Sequence, residues 1–327
     1  MKLNRQLDVR SVEQFPVYTE TEHEILPLEQ AGIVAGFESV SIGQLRLHVE
    51  TFASRLRFRE VQSGNTLFLG LFLPGGAPVR FCAQRLDEPF LVAWHGIGSA
   101  EYEYVVEAGT TIYIVEVPER SVQAQGWAPE PPAVLPLRPE RVDRFRDRME
   151  LMLGRSGNLP DKIGSHHAST LLSEIDALTE DALYATSGGS RPSKSDIAQQ
   201  RIVAAVEAYL REAPHVGTIT GAQLCSMLGI SRRTMFSAFE KQLGVGPSKF
   251  QTLLRLCRLR AMLLEASPET DTVSRLVHEV GFTHLGRTSG LYRSHFNETP
   301  VKTLRLTEPS KKMSKRRAKA PWNWPRW

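Results

Sequence analysis

Cysteine is scarce. The 327-residue chain has three, Cys82, Cys225 and Cys257, odd in number, far apart and without a CxxC pair. That excludes a disulfide framework and a zinc knuckle and fits a reducing compartment. Buried free thiols are the ordinary use of such residues. Long apolar runs are absent as well: none reaches the roughly 18 residues that span a bilayer. The opening stretch MKLNRQLDVRSVEQF has no apolar core of the signal-peptide kind, so a cytoplasmic protein without a membrane partner is expected. Closely spaced histidines are missing from the front of the chain. His48 and His95 stand alone, and His166–His167 lies in a linker-like stretch. No metal site and no cofactor are therefore expected. No nucleophile elbow and no glycine-rich phosphate loop occurs, so no catalytic residue is assigned and the chain is not expected to be an enzyme.

Charge is present but unevenly placed. Overall the chain carries 40 Lys+Arg against 36 Asp+Glu, a net +4. Residues 1–194 sum to −7, residues 195–305 to +5 and residues 306–327 to +6. An acidic front and a basic back point the back end at a polyanion.

The pattern of apolar residues divides the chain. From about residue 40 to 118, QLRLHVETF, GNTLFLGLFLPGG, EPFLVAWHG and EYEYVVEAGTTIYIVEVP alternate with period two and are broken by Gly and Pro. Such a pattern predicts an antiparallel β-barrel or sandwich within residues 1–135. Tyr102, Tyr104 and Val106 share one face there, and Glu101 and Glu103 the other. Residues 136–184 carry two amphipathic stripes, Val142, Phe145, Met149 and Met152, then Leu171, Leu172, Ile175 and Leu178. Each stripe serves either to pair two copies of the chain or to pack on its own domain. ATSGGSRPSKS (185–195) is a flexible linker. Residues 196–305 read as an all-α domain, and 306–327 as a basic disordered tail.

Within the helical part, TITGAQLCSMLGISRRTMFSAFEKQL carries a Thr220/Gln223 capping box, inward-facing Leu224, Met227 and Leu228, a Gly229 turn and a Ser231 cap. Met235 and Phe239 then face a core. Helix, glycine turn and capped helix is a helix-turn-helix signature. Arg232 and Arg233 fall in the first turn of the second helix, the end that enters a major groove, where a guanidinium can fork onto guanine or grip a phosphate. The pattern recurs in TVSRLVHEVGFTHLGRTSGLYRSHF, with Thr272 as cap, Leu276, Val277 and Val280 in the core, and a turn at Gly281. PSKFQTLLRLCRLRAMLLE joins the two as one long helix, which would set them about 34 Å apart, one duplex turn.

Residues 197–305 resemble the DNA-binding domain of AraC/XylS-type transcription regulators. The matching stretches are LCSMLGISRRTMFSAFEKQLGVGPSKF, RLRAMLLEAS and VHEVGFTHLGRTSGLYRSHFNETPVKTLR. The resemblance implies contacts to double-stranded promoter DNA from Arg232, Arg233, Phe236 and Ser237 in the first motif. In the second it implies His284, Leu285, Arg287 and Gly290. Thr288 stands where the family usually carries an apolar residue, and Asn297 where glycine is common.

Ahead of this domain, the strand-rich front resembles, by architecture, the family's cupin-like effector-sensing barrel. Phe58, Trp94, His95, Tyr102, Tyr104 and Tyr113 are the candidate lining residues for a small-molecule effector. The expected whole is a multi-domain α and β protein, a homodimeric sequence-specific regulator that engages RNA polymerase if it activates. A cupin-like enzyme tethered to DNA, or an architectural DNA-binding protein without a sensor, are the alternatives.

Overall fold

The computed structural model describes residues 3–9, 21–30, 32–42, 44–62, 66–95, 100–118, 133–137, 139–154, 169–170, 173, 192–212 and 219–306. The basic tail, most of the linker and all four residues of the second amphipathic stripe, Leu171, Leu172, Ile175 and Leu178, lie outside the described residues, as does the pair His166–His167.

Two antiparallel sheets form the front. The first runs β1 (Leu3–Val9), β3 (Ala35–Ile42), β4 (Leu45–Phe52), β11 (Thr111–Val117), β6 (Leu67–Leu73), β9 (Phe90–His95) and β12 (Ala133–Pro136) in spatial order. The second runs β2 (Thr21–Pro27), β5 (Leu56–Gln62), β10 (Ala100–Val106), β7 (Val79–Phe81) and β8 (Gln84–Leu86). Register fixes which side chains share a face. Tyr104 pairs with Phe58, and Val106 with Leu56. These four, with Phe52, Phe72, Phe81, Phe90, Ile112 and Ile114, make the core between the sheets.

Each sheet also has a covered outer face. On the first, Leu45, Leu47, Val49, Leu69, Leu71 and Val115 pack beneath helix α1 (Pro139–Met152). Val142, Phe145, Met149 and Met152 of that helix are all buried there. The first amphipathic stripe is thus consumed within its own barrel. The reason is local supply: a seven-stranded sheet apolar on both faces needs a cover, and α1 follows β12 after a short connection.

The outer face of the second sheet meets the helical domain. That domain comprises α2 (Lys194–Glu212), α3 (Gly221–Leu228), α4 (Arg232–Leu243), α5 (Pro247–Glu265), α6 (Val273–Glu279), α7 (Leu285–Phe296) and α8 (Pro300–Arg305). Its core gathers Val206, Phe239, Phe250, Leu256, Leu259 and Tyr292, and it takes in Leu26, Leu28 and Val105 from the barrel. Among the described residues no helix is long and apolar enough to cross a membrane.

Candidate nucleic-acid interface

Two helices present their N-terminal ends to solvent, and local chemistry sets where each begins. The capping box forms: the Thr220 hydroxyl accepts from the Gln223 backbone N–H, and the Gln223 side chain accepts from the Thr220 N–H. Leu224 is buried. Met227, expected inward, is 45% exposed, because positions 224 and 228 hold the inward side of this two-turn helix and 227 falls on its flank. Gly229 ends α3 with φ +62°, a left-handed value that suits glycine. Two residues later the Ser231 hydroxyl accepts from the Thr234 N–H at 3.0 Å and opens α4.

On α4, Met235, Ala238, Phe239 and Leu243 point into the core, with Phe239 edge-on to Phe250 at 5.3 Å. The opposite side carries the sequence candidates. Arg232 and Arg233 are exposed, Phe236 is 37% exposed and Ser237 is half-buried. The Arg232 guanidinium lies over the Phe236 ring at 5.3 Å. A flat cation over an exposed ring is held in place without being neutralised.

The second unit follows the same plan with different residues. The Thr272 hydroxyl caps α6, and Gly281 turns with φ +85°. His284 is the N-cap residue of α7, yet its side chain makes no capping hydrogen bond, and it is exposed beside Leu285, Gly286 and Arg287. Neither α4 nor α7 has an acidic residue in its first turn. Both helix N-termini therefore keep their positive end, in one case with two arginines added to it.

The two departures from the family pattern, Thr288 and Asn297, each have a structural account, and so does Gly290 within its helix. Thr288 is buried and its hydroxyl donates to the His284 carbonyl at 2.9 Å, so the apolar site is kept with no unmet polar group. Asn297 ends α7 with φ +56°, the left-handed conformation that asparagine tolerates best after glycine. Gly290 is exposed and nothing would meet an added Cβ there. The end of α7 is anchored by a buried polar knot. Arg260 of α5 reaches Glu298 at 2.5 Å and lies over the Phe296 ring, and Tyr292 shares a hydrogen bond with Thr303 of α8 at 2.9 Å.

The barrel holds the far ends of both helices. Arg55 reaches the carbonyl of Gly244, the C-cap of α4, at 3.4 Å. The His295 ring, in the last turn of α7, meets the Glu29 carbonyl at 3.1 Å. Arg57 of β5, 3% exposed, pairs with Glu207 of α2 at 2.7 Å and with Glu103 at 2.9 Å. Arg211 bridges the same Glu207 to Glu24 of β2. The charges of Arg57 and Arg211 outweigh burial and hold the Glu207 carboxyl down at about 2. No periodicity argument finds this contact, because Arg57, Glu103 and Glu207 read as solvated positions on separate elements. In the barrel, Phe58, Tyr102 and Tyr104 converge on the inter-sheet core. Tyr113 does not. It lies on the other face of β11, packed under α1, where its hydroxyl donates to Glu150, because strand alternation turns it away from Ile112 and Ile114. The side chains of Trp94 and His95 lie outside the described residues. Among the described residues no group of three or more His, Cys, Asp or Glu is placed to hold a metal.

A helix-turn-helix domain family matches residues 224–306, the span from α3 through α8. Among curated proteins, the chain is similar to the probable thc operon regulatory protein of Rhodococcus erythropolis, 33% identical over 87 residues, 27% of this chain and 26% of that protein. It is also similar to the XylDLEGF operon transcriptional activator of Pseudomonas putida, 31% identical over 113 residues, 35% of this chain and 34% of that one. A solved structure of a probable AraC family transcriptional regulator from Rhodopseudomonas palustris is 33% identical with a TM-score of 0.31, over 33% of this chain and 99% of that chain. The chain thus spans between a quarter and about a third of the length of these curated relatives. Residues 224–306 thus form a helix-turn-helix domain of the kind found in AraC/XylS-type transcription regulators.

Proposed function

We propose that the chain is a sequence-specific regulator that reads double-stranded promoter DNA with the N-terminal ends of α4 and α7 and takes a small-molecule effector in a cupin-like barrel. The observation that carries this reading is the exposure of Arg232, Arg233 and Phe236 on α4 and of His284, Leu285 and Arg287 on α7. The opposite ends of those helices are held by the barrel and by α5. Arginine at such an end can read guanine in the major groove, and exposed apolar side chains can meet thymine methyl groups. The 19-residue α5, roughly 28 Å long at 1.5 Å per residue, is the rigid spacer between the two readers. Effector control follows from the contact between the domains, since anything that shifts β2 and β5 acts on the ends of α4 and α7.

A salt series of DNA binding tests it, with the full chain on promoter-region DNA against random DNA. The expected outcome is a preference for the promoter fragment that survives at physiological salt. Binding that depends on salt alone and ignores sequence would instead make this an architectural DNA-binding protein.

A further inference from the structure

The two reading helices hang from opposite ends of α5. Near its start, Phe250 meets Phe239 of α4 edge-on at 5.3 Å. Near its end, Arg260 reaches Glu298 and lies over the Phe296 ring, at the close of α7. One helix sets the distance between its ends, but long helices bend, and a single bar does little to hold the turn of one end against the other. The front domain adds a second tie at each end. The Arg55 guanidinium donates to the Gly244 carbonyl at 3.4 Å and lies so close to that glycine that an added Cβ would run into it. The His295 ring meets the Glu29 carbonyl at 3.1 Å, and a Cβ added at Gly32 would come within 2.5 Å of the His295 carbonyl oxygen.

These two ties are one piece. The Arg55 backbone N–H donates to the Glu29 carboxylate at 2.8 Å, and the Leu28 N–H donates to the Arg55 carbonyl at 3.1 Å. Just beyond, the Ala53 N–H donates to the Val34 carbonyl at 2.8 Å, and the Val34 N–H to the buried Ser54 hydroxyl at 2.9 Å. The Arg55 guanidinium is also paired with Glu107 at 2.9 Å. Contacts 189 and 266 positions apart in the chain thus meet on two residues bonded to each other. They close a ring that runs from α4 through α5 and α7 to Glu29, then to Arg55 and back to α4. Turning one reader against the other would leave a carbonyl or a guanidinium of that ring unpaired, which costs free energy.

We propose that Glu29, Gly32 and Arg55 are positioning residues for DNA reading. They form a strut that fixes the phase between the N-terminal ends of α4 and α7, and so the spacing of the two major-groove segments that one chain accepts. The three residues act through the helices and not by touching the duplex. Spacing is a demanding variable. One added base pair moves the second segment by about 3.4 Å along the duplex and turns it by about 35°. A rigid pair of readers cannot follow both changes. The assignment rests on the reading of the chain as a regulator that docks both helices on one duplex.

The test starts from a duplex selected out of a random-sequence pool by the unaltered full chain, its two contacted segments located by footprinting. Versions with one base pair inserted or removed between the segments are titrated by fluorescence anisotropy. Arg55→Ala removes the tie to α4, and Gly32→Ala drives a Cβ into the end of α7. Each change of spacing weakens binding by the unaltered chain about tenfold or more, and in the two variants that ratio falls to within about threefold. A variant that is only less stable loses affinity at every spacing alike, so its ratio stays. The strut is overturned if both variants fold and keep the ratio of the unaltered chain, or if the unaltered chain is itself indifferent to spacing. Hydrogen exchange on the unaltered chain decides even where a variant does not fold. Coupling is reciprocal, so the selected duplex must slow exchange at the Leu28, Ala53 and Arg55 amides, and unchanged exchange there overturns the strut. A pool that yields no preferred sequence removes the regulator reading and the strut with it. A preferred duplex on which the ratios do not move removes only the strut.

Discussion

Arg232 and Glu60 show two ways in which a charged side chain sits against its surroundings. Arg232 is exposed, stacked on Phe236 and without an acidic residue in its helix turn. Arg232→Ala is expected to cost about 1–3 kcal/mol in binding to promoter DNA and to relax selectivity at one base pair. Fluorescence anisotropy on single-base variants of the fragment measures it, and a uniform loss on all sequences would make the contact a phosphate contact. Glu60 is buried, and desolvation raises its carboxyl to about 7 although the Tyr104 hydroxyl pulls the other way. The titratable groups described around it are Glu50 on β4 and, on β10, Tyr104 and Tyr102, the latter in register with Glu60. A folded value above the unfolded one means that the native state holds this proton longer, so stability falls as pH rises from about 4.5 to 7. Glu60→Gln should flatten that slope in urea titrations at pH 5 and pH 8, and an unchanged slope would show that Glu60 does not carry it.

At the scale of elements, α4 and α7 start and stop through single side chains. Ser231→Ala removes the acceptor of the Thr234 N–H and should cost about 1 kcal/mol of stability, with a loss of DNA affinity because Arg232 and Arg233 ride on the frayed turn. Gly290→Ala works the other way. The position is helical, exposed and open to a Cβ, so the variant should gain about 0.4–1 kcal/mol in thermal or urea unfolding. If affinity for promoter DNA falls at the same time, the glycine is where the duplex backbone comes close. The strands obey the alternation of their sequence. Tyr113 belongs with Leu47 and Val115 under α1, and its neighbours Ile112 and Ile114 belong to the other side.

For the whole molecule, on the proposed function, the contact between the β-sheets and the helical domain is the element that joins sensing to reading. Arg57, Glu103, Glu207, Arg211 and Glu24 form one buried network across it. Removing a single member leaves a buried charge unmatched, so Arg57→Ala should cost about 3–5 kcal/mol of stability in the full chain. The double variant Arg57→Ala/Glu207→Gln should recover part of that loss, which a double-mutant cycle in urea quantifies. Acid has a defined effect on the same contact. Glu207 is held at about 2, below its ordinary 4.5, by Arg57 and Arg211, with Glu103 and Glu24 as the other acids facing them. The stability it contributes is fully present above about 4.5 and is lost as pH falls toward 2. Hydrogen exchange should show α2 and β5 losing protection together in that window. Loss confined to one domain would mean that the network does not couple them.

The sequence by itself determined what local chemistry decides. Glycine turns, hydroxyl caps, helical spacing and strand alternation each act within a few residues, so Thr220, Gly229, Ser231, Thr272 and the face shared by Tyr102, Tyr104 and Val106 were legible in the one-dimensional pattern. The basic N-terminus of α4 was legible for the same reason. Tertiary structure decided what depends on residues far apart in the chain. Only the sheet order shows that α1 covers its own sheet, that Tyr113 serves that face, and that Glu50 and Glu60 are buried on the core sides of two different sheets. Only packing brings Arg57 to Glu207, 150 positions away, and only there does a side chain that reads as solvated become a buried link between domains. The physical reason is range: caps and turns are satisfied by neighbours in sequence, whereas burial and charge pairing are satisfied by neighbours in space.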